Sequence, residues 1–217
     1  MAMASDVVPS SIRTTVRAHI ERELGKIGQS FEPAGAAIEV LVVPSTDERP
    51  VHTLITCGMS ERAMDTGGDA NAPQYLELMM TLPRQWKLSD LAEQDAAYWP
   101  VRLLASLARL PFERGSSLKW GDTVGNGEPP LPYAPNTQLC GVIVAPSLLV
   151  PKEFYVLETS GRTIEFFSAI PLYKEELLLA KERGMKDLLT TLVDHNISDL
   201  VDLKRRNVTK KKRFGFF

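Results

Sequence analysis

Apolar residues recur at every fourth position at Ile12, Val16, Ile20 and Leu24, a stripe that predicts one helix face. Arg13, Arg17, Glu21 and Arg22 fill the rest of the wheel, Ser10 or Ser11 suits the cap, and Gly25 fits the position past the end. Residues 37–43 (AIEVLVV) and 51–59 (VHTLITCGM) are β-branched runs, and the short polar link between them predicts an antiparallel pair. Residues 61–73 are polar and loop-like. Residues 75–82 alternate, with Leu76, Leu78, Met80 and Leu82 on one face and Tyr75, Glu77, Met79 and Thr81 on the other. That pattern predicts a half-buried strand stopped by Pro83.

Residues 88–97 predict an acidic helix capped by Ser89, and Trp99-Pro100 opens a buried helix through Leu103, Leu104, Leu107, Ala108 and Leu110 to Pro111. The stretch 111–136 is rich in Gly and Pro, with one short strand within 118–124; a connection that long is functional or mobile. Residues 139–144 (LCGVIV) read as a buried strand ended by Pro146. Residues 153–157 and 163–169 flank Thr159-Ser160-Gly161-Arg162 as a hairpin, its second arm stopped by Pro171. Helices follow at 174–183, closed by Gly184, and at 185–193, then a short element at 197–203. Strands occur both in hairpins and between helices. The expected class is therefore α+β, a mixed, largely antiparallel β-sheet flanked by α-helices.

A length of 217 residues, with 44% hydrophobic and 24% charged positions, indicates one globular domain and excludes a mostly disordered chain. No window approaches the roughly 18 apolar residues that cross a bilayer. The first residues lack the basic start and apolar core of a secretory signal, and two cysteines are too few for a disulfide framework, so the expected compartment is the cytoplasm. The net charge of −2 hides an asymmetry. Eighteen of the 25 cations and all 27 carboxylates precede residue 204, a formal −9, whereas seven cations and no carboxylate lie from residue 204 onward, a formal +7. Such a tail either seeks an anionic surface or folds onto the acidic body.

Reactive chemistry is sparse. His19, His52 and His195 lie far apart, outside any metal-like spacing, and Cys57 and Cys140 sit in apolar strands as small hydrophobes. The run 121–127 (GDTVGNG) lacks the Gly-Lys-Ser/Thr ending of a phosphate loop and reads as a turn. No cofactor or metal is expected. The carboxylates Glu61, Asp65, Asp69, Glu77 and Asp122 form the candidate surface for a protein partner. A hydrolase working from Ser60 and Glu77 is the enzymatic alternative, without a histidine to serve as base. The tail KKKRFGFF joins four cations to three phenylalanines, which suits phosphates and stacking, yet nothing else in the chain resembles a nucleic-acid module.

Five ordered segments resemble the Suppressor of fused family domain: LITCGMSE at 54–61, ELMMTLP at 77–83 with Trp86 behind it, Trp99-Pro100 opening the Leu-rich helix, TIEFF at 163–167 followed by Pro171, Glu175-Glu176-Leu177 and Gly184, and DLKRR at 202–206. The resemblance runs from about residue 38 to about residue 208. It implies a single SUFU-like domain over 31–208, an N-terminal helix within 1–30 packed on it, and a basic, flexible tail at 209–217. It also implies that the shared residues are architectural: Gly58 for backbone conformation, Ser60 and Glu176 within the motifs, Pro83 and Pro171 as strand stops, and Trp99 as a core anchor. Animal members restrain a zinc-finger transcription factor in Hedgehog signalling with an added C-terminal domain, for which this chain has no room. Short bacterial members are immunity proteins that neutralise a toxin. The expectation is therefore a non-enzymatic protein-binding domain whose partner is a cognate toxin, with no small-molecule substrate, membrane or nucleic acid. A regulatory adaptor that binds a peptide by strand addition is the alternative.

Overall fold

The computed structural model describes residues 11–35 and 37–209. Helix α1 (Ile12–Glu23) starts where Ser11 Oγ accepts the Thr14 N–H and ends beside Gly25. Eight strands follow: β1 (Gln29–Phe31), β2 (Glu39–Val43), β3 (Val51–Cys57), β4 (Tyr75–Pro83), β5 (Thr123–Gly125), β6 (Leu139–Ala145), β7 (Val156–Thr159) and β8 (Arg162–Tyr173). Helix α2 (Trp99–Arg114) lies between β4 and β5, and α3 (Lys174–Arg183) and α4 (Met185–Asp194) follow β8. The strands form one sheet in the order β1-β2-β3-β4-β8-β6-β5, with β7 pairing the start of β8. Among the described strands only β4 and β8 run parallel; the other strand pairs are antiparallel, including the β2–β3 hairpin.

Side-chain alternation sorts the core onto two faces. On one face α2 lays Trp99, Val101, Leu104 and Leu107 against Val40, Leu54, Leu78, Met80 and Val144. On the other, Val16 and Ile20 of α1 meet Leu41, Ile55, Met79 and Phe166. Farther along that second face, Leu188 and Leu192 of α4 cover Ile143, Ile170 and Leu172. The sheet is thus sandwiched between α2 and the pair formed by α1 and α3–α4. No described helix is long and apolar enough to cross a membrane.

Five local expectations are corrected. The acidic helix at 88–97 does not form: Asp90 takes a left-handed φ of 53° and Asp95 folds back to accept the Ala92 N–H, leaving turns and one 3-10 turn at Ala96–Tyr98. Helix α2 continues through Pro111 to Arg114 and stops at Gly115 in the left-handed region. Strand β8 continues through Pro171, whose carbonyl accepts from Arg205 rather than from β6; a ring nitrogen there breaks no ladder bond. The first hairpin arm is Val156–Thr159, because Lys152–Phe154 forms a 3-10 turn. Residues 197–203 form only one bridge, Leu200 against Thr81. The three-residue β1 is too short for any alternation to mark it in the sequence.

Candidate functional site

The strand β4 is buried on both faces, because α1 and the residues around Phe154 cover the side that the alternation left for solvent. Glu77 is therefore fully buried and removed from the set of partner-facing carboxylates. It accepts four hydrogen bonds: from Thr56 Oγ1 at 2.6 Å, Ser60 Oγ at 2.7 Å, and the Gly58 and Ser60 N–H groups at 3.0 Å each. Burial pushes its carboxyl above the ordinary range, and these donors pull it partway back. Ser60 is equally buried, its hydroxyl already committed to Glu77. None of the histidines serves the pair: His19 bonds the Phe154 carbonyl, His52 joins the Ser45 N–H to the Arg84 carbonyl, and His195 bonds the Thr191 carbonyl. Burial pushes the Cys57 thiol up to about 12, so it stays protonated at neutral pH.

Gly58 turns the chain into this node with φ +122°, and a Cβ there would lie 2.7 Å from Arg13 Nη2. Gly58→Ala is expected to lose about 1–3 kcal/mol from backbone strain, measured by urea denaturation. Trp99 begins α2 at 2% exposure, stacked 4.9 Å from Tyr133 and edge-on to Trp86. Pro83 is the last residue of β4. Glu176 is buried at the start of α3, where it accepts the Tyr173 N–H and both arms of the Arg205 guanidinium.

The other acidic candidates lie outside the core but are not bare. Glu61 pairs with Arg13 at 3.0 Å, and Asp65 accepts the Gly67 N–H within its own turn. Asp69 pairs with Lys119 Nζ at 2.5 Å, which holds its carboxyl below the usual range, and Asp122 accepts the Lys119 N–H. Lys119 therefore gathers Asp69 and Asp122, while Glu61 and Asp65 stand apart along the loop 61–69.

A different surface emerges beside them. The sheet ends at β5. The Val144 N–H donates to the Asp122 carbonyl at 2.9 Å and the Asn126 N–H to the Cys140 carbonyl at 2.8 Å. By the alternation of an antiparallel ladder, Thr123 and Gly125 turn their N–H and C=O groups away from β6. Near that edge, Arg102, Ser106, Arg109 and Arg114 of α2 line a groove of about 560 Å3 together with Glu93 and residues 124–127. Arg102 also bonds the Glu93 carbonyl, which ties the preceding loop to the groove wall. The sequence reading marked the Gly/Pro stretch containing β5 but missed the arginines; their spacing opposite Leu103, Leu104 and Leu107 was the available signal.

Comparisons with known proteins agree on the family and fold. The family model described as Suppressor of fused protein (SUFU) matches residues 35–206. A putative SUFU homologue from Neisseria gonorrhoeae superposes with a TM-score of 0.68 at 15% identity, covering 92% of this chain and 98% of that one. A chain of the Sufu–Fu complex gives 0.64 at 16% identity, covering 92% and 93%. Drosophila Suppressor of Fused gives 0.53 at 17% identity, covering 79% of this chain and 42% of that one. No curated protein matches the sequence significantly. With a family model spanning most of its length, and the mixed sheet its neighbours share, this chain belongs to the Suppressor of fused protein family.

Proposed function

We propose that this chain is a non-enzymatic protein-binding domain that takes an extended segment of its partner against the free edge of β5. The carrying observation is the edge of β5, where Thr123 and Gly125 turn their backbone groups away from β6, next to a groove lined by Gly125 and by arginines of α2. Main-chain pairing supplies affinity and the walls supply selectivity. Arg102 and Arg114 place positive charge along the wall, beside Glu93 and an Arg109 already paired with Glu113 at 3.6 Å, so the segment we favour carries carboxylates. A family relative crystallised with a protein partner, the Sufu chain of the Sufu–Fu complex, supports the general class. Within that class the partner we favour is a cognate toxin encoded beside this chain, which places its action in the cytoplasm. The paired state of Glu61 and Asp69 weighs against an undivided acidic face as the whole contact.

The test is a titration of the purified chain with the product of the neighbouring gene. We expect a complex at micromolar concentration. The variant Thr123→Pro removes one outward N–H while sparing the bonds to β6, and is expected to weaken binding about tenfold, the effect of ~1.4 kcal/mol. An unchanged affinity in that variant overturns strand addition, and no complex at all overturns the toxin assignment.

A further inference from the structure

The tail at 210–217 lies outside the described residues, but α1 at the other end of the chain is described in full and is held to the sheet by two unlike contacts. Ion pairs tie its first half: Glu39 at the start of β2 receives both Arg13 and Arg17, and Arg13 also reaches Glu61. His19 anchors its second half. The imidazole is 1% exposed, set between the rings of Phe154 and Phe166 at 5.2 and 5.1 Å. Its partners assign the tautomer. Nε2 lies 3.1 Å from the Phe154 carbonyl, which can only accept, so Nε2 carries the hydrogen. Nδ1 lies 2.8 Å from Arg22 Nη2, which can only donate, so Nδ1 presents its lone pair. The ring is therefore held neutral. A proton added at Nδ1 displaces the Arg22 bond and sets one cation against another, with phenyl rings where water would be.

The charged groups facing the ring are Arg22 and Glu23, both on α1 and bonded to each other at 2.6 Å. Across from it, the turn Lys152–Phe154 offers a carbonyl and a phenyl ring while its Lys152 and Glu153 are exposed, and β8 offers Phe166. Cys57 of β3 and Glu61 lie against Arg13 instead. Burial pushes the imidazole below its ordinary value, the Phe154 carbonyl raises it partway, and Arg22 lowers it again.

We propose that α1 is a proton-operated latch: protonation of His19 undocks the helix from the sheet while the rest of the domain stays folded, uncovering Leu41, Ile55 and Cys57. The inference is independent of the β5 reading. Two observations make α1 separable. The matched family segment begins at residue 35, beyond the helix, and no backbone-to-backbone hydrogen bond among the described residues joins α1 to a strand. The sign follows from the two states of the ring. The docked form holds the proton less tightly than the released form, so docking weakens as pH falls below the released value of about 6.5 and stops weakening below the docked one.

Cys57 reports the motion, because it is fully buried under α1 with its Sγ 3.8 Å from the Arg13 carbonyl. Buried Cys140 in β6 is the control. The experiment is labelling with a dithiodipyridine, which stays reactive toward thiols in acid, each cysteine being followed by peptide mass and each rate divided by that of glutathione at the same pH. Between about pH 7 and about pH 5.5 we expect Cys57 to label about five- to tenfold faster and Cys140 at an unchanged rate. His19→Gln supplies a donor and an acceptor without titrating, and should abolish the acid limb. Arg22→Gln, at a side chain 62% exposed, removes the cation opposite Nδ1 and should shrink it. An acid limb of natural size in His19→Gln, or in Arg22→Gln should the first variant fail to fold, overturns the proposal. So does a Cys57 rate that ignores pH. A parallel rise at Cys140 overturns it as well, because the whole domain then opens rather than the helix alone.

Discussion

Arg205→Ala is expected to lower stability by about 3–5 kcal/mol, seen as a large downward shift of the urea midpoint. The guanidinium is 6% exposed and reaches Glu176 Oε1 at 2.8 Å, Glu176 Oε2 at 2.5 Å and the Pro171 carbonyl at 2.8 Å. It also lies 4.9 Å from the centre of the Tyr173 ring, whose hydroxyl donates to the Arg205 carbonyl. Removing it leaves a fully buried carboxylate whose other donors, the Tyr173 and Val208 N–H groups, carry no full charge. The cost comes mainly from that stranded charge rather than from lost attraction. A double variant, Glu176→Leu with Arg205→Leu, should therefore cost less than the two single variants added together. Strict additivity would show that the pair is not coupled.

Glu77→Ala is the second large effect. It strips the acceptor from two backbone N–H groups and two hydroxyls at the junction of β3, β4 and the turn after Gly58, at about 1–3 kcal/mol for each buried donor left unmet. Glu77→Gln keeps the volume and one acceptor oxygen, so its loss is smaller and its pH dependence is informative. Burial raises the folded carboxyl above its ordinary value, so the native state holds the proton at a pH where the unfolded chain has released it. That contribution is complete below the unfolded value and fades as pH rises through the folded one. The stability advantage of the natural protein over Glu77→Gln should be largest near pH 4 and narrow toward neutrality. An advantage that widens with pH would mean that the four donors outweigh burial.

Much of the fold was legible because its signals are local. The four-residue period of α1, the paired β-branched runs of β2 and β3, and the Gly184 break between α3 and α4 each reside within about a dozen residues. The acidic stretch before Trp99 shows the reverse case: its spacing suited a helix, but a left-handed Asp90 and the Asp95 side chain secured turns instead. Alternation in β4 identified a strand and its inner face. It could not reveal that α1, some sixty residues earlier in the chain, covers the outer face and buries Glu77. The β5–α2 groove was hidden for the same reason, since edge status depends on which strands fail to arrive beside Thr123–Gly125. Arg205 was recognisable as part of a closing motif, yet its pairing with Glu176 spans 29 residues and follows from tertiary packing alone.

The parallel pairing of β4 with β8 has a kinetic consequence. Strands β1 to β4 form a meander of neighbours, and β6 to β8 form another local group, but the seam between the groups joins residues such as Leu76 and Glu165 across a long intervening chain. Closing so large a loop makes the seam the slow step of folding. During synthesis the first group emerges well before β8, leaving the apolar margin of β4 open to pairing with other nascent chains until Arg162–Tyr173 leaves the ribosome.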